Sequence, residues 1–128
     1  MNPQKIWSNL AVSDLDRTTE FYSKLGFKFN GRSDDLTSIK IGLDDFVMHF
    51  FLKEVINKNT GIEITDSPGP NEVMFTLSAE SKNQVDEWAK EVEEVGGKLI
   101  SQPEEFGQEY YGFAFADPDG HTFNVFYM

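Results

Sequence analysis

The chain contains no cysteine. That excludes disulfides, thiolate nucleophiles and Cys-ligated zinc. Histidine is nearly as scarce: there are two, His49 and His121, so an iron site of two imidazoles and a carboxylate needs both on one surface. Positive charge is short as well, with 11 Lys and Arg against 22 Asp and Glu and a formal net charge of -11. Such a surface repels phosphate backbones, so no nucleic-acid partner is expected. The acidity suits solubility, or alternatively the attraction of a cationic ligand. No apolar run approaches the roughly 20 residues of a membrane span. The opening MNPQKIWSN lacks the basic and then apolar layout of a signal peptide. The expectation is a cytoplasmic protein with no membrane partner.

What is present favours a packed globule. The chain has 128 residues, 39 % of them hydrophobic, and twelve are Phe. This is the length of one ordinary domain, long enough to bury about two-thirds of its unfolded surface.

The elements follow one order twice. KIWSNLAV (5–12) is apolar enough for a buried strand. Ser13 with Asp16 predicts a capped helix start, and Leu15, Phe21, Tyr22 and Leu25 give the helix an apolar face. Gly26 marks its end. FKFN (27–30), LTSIKI (36–41) and DFVMHFFL (45–52) read as strands. KEVINKNTGIEITDSPGP has little periodicity and closes on Ser-Pro-Gly-Pro, which predicts a linker over 54–70. The layout then returns. NEVMFTLS (71–78) is a strand, Ser81 and Gln84 cap an acidic helix with Val85, Trp88, Val92 and Val95 on its apolar face, and Gly96–Gly97 end it. KLISQ (98–102), YYGFAFA (110–116) and HTFNVFY (121–127) follow as strands.

This order predicts an α+β architecture of two βαβββ modules, at about 5–53 and 71–127, within one domain spanning 1–128. Neither module buries its apolar face alone. Pairing them gives an eight-stranded curved, incompletely closed barrel-like sheet with helices outside and a cavity within.

NLAVSDLDRTTEFYSKLGFKF near the start and FADPDGHTFNVFYM at the end resemble the vicinal-oxygen-chelate superfamily. That group includes glyoxalase I, extradiol dioxygenases and bleomycin-resistance proteins. The resemblance covers nearly the whole chain. It implies four metal-ligand points on cavity-facing strands, which fall on Trp7, His49, Met74 and Asn124.

That set departs from the metal-binding members. Trp offers an N–H donor and no lone pair. Met suits soft metals, and a neutral Asn carbonyl suits hard cations better than Zn²⁺, Ni²⁺ or Fe²⁺. His49 alone is an ordinary ligand, so neither a metal nor another cofactor is expected. Glu72 is a substitute ligand if it shares a face with Met74. His121 lies three positions before Asn124 and so points to the opposite face by strand alternation. It reads as a strand-start residue beside the Asp117-Pro118-Asp119-Gly120 turn.

Period-two alternation extends the cavity face to Asn9 beside Trp7, Phe51 beside His49, Thr76 beside Met74, and Phe126 beside Asn124. Tyr111 joins them if its strand has the matching parity. An aromatic face with a few polar groups suits a small-molecule site, and it equally suits plain core packing. The reading that follows is a metal-free small-molecule-binding protein like the bleomycin-resistance branch, taking an aromatic and cationic ligand, with a homodimer as the default assembly. The alternatives are a metal-dependent glyoxalase-type lyase or dioxygenase, and a metal-free enzyme with His49 as general base.

Overall fold

A computed structural model describes residues 2–60, 73–106 and 109–128. The chain divides into two compact units, Met1–Asp66 and Ser67–Met128.

In the N-terminal unit, β1 (Ser8–Val12) leads into α1 (Leu15–Lys24), followed by β2 (Lys28–Arg32), β3 (Leu36–Ile41), β4 (Phe46–Leu52) and α2 (Lys53–Thr60). The strands form one sheet in the order β1-β4-β3-β2. β1 runs parallel to β4 and the other pairs are antiparallel. The helix start lies one residue later than the sequence suggests. The N-cap is Asp14, in extended conformation, and its carboxylate accepts the Arg17 N–H at 3.0 Å. Ser13 instead takes the Arg17 guanidinium on its hydroxyl. Two cap-type residues stand side by side, and the one that meets an orphan N–H is the cap. Asp14→Ala should therefore cost about 1 kcal/mol of stability and Ser13→Ala much less, as read by urea denaturation.

Helix α1 buries Leu15, Thr18, Phe21 and Tyr22 against one face of this sheet. On that face Met48 and Phe50 are fully buried, and Tyr22 stacks on Phe50 with ring centroids 4.7 Å apart. The Thr19 and Thr37 hydroxyls meet at 2.7 Å and fasten helix to sheet. Gly26 takes φ 88 where the helix stops, a conformation that a Cβ disfavours.

The predicted linker begins later than expected, because Lys53–Thr60 is helical. No side chain of α2 is fully buried, which is why its sequence shows so little periodicity. The remaining linker residues, 61–70, lie outside the described residues.

The C-terminal unit contains β5 (Met74–Ser78), α3 (Lys82–Glu94), β6 (Lys98–Leu99), β7 (Glu104–Phe106), β8 (Tyr110–Ala116) and β9 (Thr122–Tyr127). They make a five-stranded sheet of order β5-β9-β8-β6, with β7 also on β8. Ser81 caps α3 by accepting the Gln84 N–H at 3.1 Å, and the Gln84 amide oxygen accepts the Glu80 N–H. The strand expected over 98–102 is cut short at Leu99. The Ile100 and Ser101 N–H groups both reach the Ala114 carbonyl, and the Ser101 hydroxyl accepts the Ala114 N–H. This crowding interrupts the ladder, and pairing resumes as β7, an element more than the sequence suggests. Val85, Ala89 and Val92 of α3 are buried, as are Phe113, Phe115, Phe123 and Val125 of the sheet it covers. Phe115 and Phe123 stack at 5.1 Å.

The closing turn forms as predicted. The Gly120 N–H reaches the Asp117 carbonyl at 3.0 Å, while the Asp117 carboxylate accepts the N–H groups of Asp119 and His121. The architecture is mixed α+β, a βαβββ module followed by a second that carries the extra strand, with strands in sheets of four and five. Among the described residues no helix is long and apolar enough to cross a membrane.

Candidate functional site

In each unit the helix covers one face of the sheet, and the candidate residues fall mostly on the other. Along β4, Met48 and Phe50 face α1, so Val47, His49 and Phe51 face away from it. Register carries this face across the sheet. Asn9 and Ala11 of β1 pair with His49 and Phe51. Leu36, Ser38 and Lys40 of β3 pair with Phe51, His49 and Val47. Trp7 precedes β1 and is 52 % exposed. Its ring lies 6.5 Å from that of His49, edge-on at 73°. The Phe51 ring lies 6.0 Å from that of His49, edge-on at 78°. The sequence-predicted residues of this half, Trp7, Asn9, His49 and Phe51, therefore share one surface.

Two neighbours escaped the sequence reading. Ser38 sits beside His49 in register, and its hydroxyl accepts a hydrogen bond from the Asn30 amide at 2.9 Å. Asn30 gets there because β2 bulges between Phe29 and Gly31, a shift that alternation alone does not reveal. A polar row, Asn9–His49–Ser38–Asn30, thus crosses this face among its apolar and aromatic residues. His49 Nδ1 is buried and has no hydrogen-bond partner among the described residues. Ser8 Oγ shares that condition, but it lies on the helix-facing side of β1, in register with Met48.

In the C-terminal unit, Met74 and Thr76 of β5 pair with Thr122 and Asn124 of β9. With Phe126 they lie on the face away from α3, since Phe123 and Val125 occupy the helix side. Tyr111 does not join them. It pairs with Tyr127, and its hydroxyl donates to Asp86 of α3 at 2.6 Å. The bond to Asp86, then burial, holds the Tyr111 phenol above its ordinary pKa. Tyr110 takes the place expected of Tyr111, with its ring 5.9 Å from Phe126. One position of parity separates the two tyrosines, and the sequence gives no sign of which is which. Gly112 lies opposite Phe126 and lets that ring lie against the backbone. Glu72 lies outside the described residues. His121 ends the turn ahead of β9, with its N–H on the Asp117 carboxylate.

The donor chemistry does not fit a catalytic divalent ion. Beside His49 stands an indole with no lone pair to give. The face of Met74 and Asn124 offers a thioether and a neutral amide. Among the described residues no three His, Cys, Asp or Glu side chains gather where one ion could be held.

A family model described as the Glyoxalase/Bleomycin resistance protein/Dioxygenase superfamily matches residues 7–125. The chain belongs to this superfamily. Among solved structures, a hypothetical protein from S. aureus is 31 % identical, with a TM-score of 0.87 over 100 % of this chain and 96 % of that one. A glyoxalase-related enzyme from Fulvimarina pelagi is 20 % identical with a TM-score of 0.86, covering 98 % and 89 %. A lactoylglutathione lyase from Agrobacterium tumefaciens is 21 % identical with a TM-score of 0.69, covering 99 % and 96 %. At such identity the last two show the superfamily fold and nothing finer. No curated protein matches the chain.

Proposed function

We propose that the chain is a metal-free, cytoplasmic small-molecule-binding member of the superfamily, akin to its bleomycin-resistance branch. It holds a flat aromatic ligand against the Trp7–His49–Phe51 face of the N-terminal unit. The observation that carries this reading is the half-exposed Trp7 ring beside an imidazole whose buried Nδ1 has no partner among the described residues. A buried polar atom left unpaired costs about 1–3 kcal/mol. A ligand that stacks on Trp7, turns the imidazole outward and supplies a polar atom to it removes that cost. Trp7 and Phe51 supply contact area, and ring stacking adds about 0.5–1.5 kcal/mol to simple area burial. Asn9, Ser38 and Asn30 supply the few oriented polar groups that small-molecule sites use to fix a ligand.

Metal analysis of protein purified without chelator tests the reading. The expected result is no stoichiometric Zn²⁺, Ni²⁺, Fe²⁺ or Mn²⁺, and no turnover of the methylglyoxal–glutathione hemithioacetal with Ni²⁺ or Zn²⁺ added. One equivalent of metal that is lost on His49→Ala would instead point to a metal-dependent lyase or dioxygenase.

A further inference from the structure

The strands of the N-terminal sheet, SNLAV, KFNGR, LTSIKI and FVMHFFL, contain no Asp or Glu, although the chain has 22 such residues. They do contain Lys28, Arg32 and Lys40. Two of these cations are matched. Arg32 reaches Asp16 of α1 at 2.7 Å, and Lys28 reaches Asp45, in the turn before β4, at 3.1 Å. The Lys40 ammonium makes no ion pair or hydrogen bond among the described residues, and the residue is half-buried. Through its pairing with Val47 it lies on the same face as His49 and Ser38. It stands two residues from Ser38 along β3, a rise of about 7 Å, within reach of a lysine stem that lies along the sheet.

Resting on the binding reading above, we infer that the ligand of this face is an aromatic acid, with its ring on Trp7 and Phe51 and its anionic group held by Lys40 and an N–H of His49. The chain's net charge suggests a cationic ligand, but the face itself argues the reverse. A cation would meet an unmatched ammonium with no carboxylate on the strands to receive it. A carboxylate would give the ammonium a partner and accept from whichever imidazole nitrogen of His49 carries the hydrogen. The Ser38 hydroxyl, which already accepts from Asn30, has its own hydrogen left to donate toward the same anion. Lys40 is half-buried through its stem, and a bound anion gives its ammonium a charge-assisted hydrogen bond in place of water. This is charge complementarity at contact range. The acidic remainder of the protein acts at longer range and is screened beyond about 8 Å at physiological salt.

Three ligands of one shape separate the possibilities: 2-naphthoate, neutral 2-naphthamide and cationic 2-naphthylmethylammonium, each titrated calorimetrically into the full chain. The expected order has naphthoate tightest, by roughly tenfold or more over the amide, in line with hydrogen bonds to charged groups. Lys40→Met keeps the stem and removes the charge, and should bring naphthoate down toward the amide. Lys40→Arg should retain the preference. If the amide or the ammonium binds as well as naphthoate, or if Lys40→Met leaves naphthoate affinity untouched, the acid is the wrong ligand class while the ring site survives. If none of the three binds, the face is not a binding site and this inference falls with that reading.

Discussion

Gly112→Ala should destabilise the protein by about 1–3 kcal/mol or more, the range of overpacked interiors. Gly112 is buried in β8, and a Cβ built there would run into the Val125 carbonyl oxygen and the Phe126 ring. The ring can rotate away. The carbonyl belongs to the β9 backbone and can move only if the β8–β9 ladder shifts with it. The double variant Gly112→Ala/Phe126→Ala should therefore recover only part of the loss, because it relieves the ring and leaves the carbonyl. Urea denaturation of the variants measures this, and a neutral Gly112→Ala would mean that the two strands are not so closely apposed.

Phe50→Ala should have the larger effect, about 3–5 kcal/mol. Phe50 is fully buried and stacks on Tyr22 of α1, which is also fully buried. Truncation removes the stack and leaves a cavity between helix and sheet. The adjacent Phe51 is only half-buried and points to the other face. Phe51→Ala should cost distinctly less in denaturation yet weaken ligand binding. Equal losses in stability for the two variants would contradict the assignment of faces along β4.

Much of this was legible because the local signals were strong. β3 and β8 run over the residues that alternation and turn chemistry predict, 36–41 and 110–116. Gly26 and Gly96 mark the helix ends, each at positive φ. The Asp117 turn follows from Asp, Pro and Gly in their usual places. The losses share a physical cause, since each depends on register with another strand. Whether Tyr110 or Tyr111 faces Asn124 depends on how β8 pairs with β9. Asn30 reaches Ser38 through a bulge that no pattern within β2 announces. Lys40 joins the candidate site only through its pairing with Val47, and on its own reads as one more surface lysine. Helix α2 was missed for a different reason, because a helix with no buried residue writes only a faint period into its sequence.

The most direct test of the binding face uses the chain's own fluorophores. There are two tryptophans, Trp7 on the candidate face and Trp88 on α3, a helix packed against its own sheet. An aromatic compound that raises the apparent thermal stability does so by binding the folded state. Its effect on tryptophan emission is then compared in Trp88→Phe and Trp7→Phe protein. The expected result is a ligand-dependent change that persists in Trp88→Phe and disappears in Trp7→Phe, with affinity in the latter weakened by about 0.5–1.5 kcal/mol. A change that survives Trp7→Phe and vanishes in Trp88→Phe would place the ligand elsewhere and contradict the account.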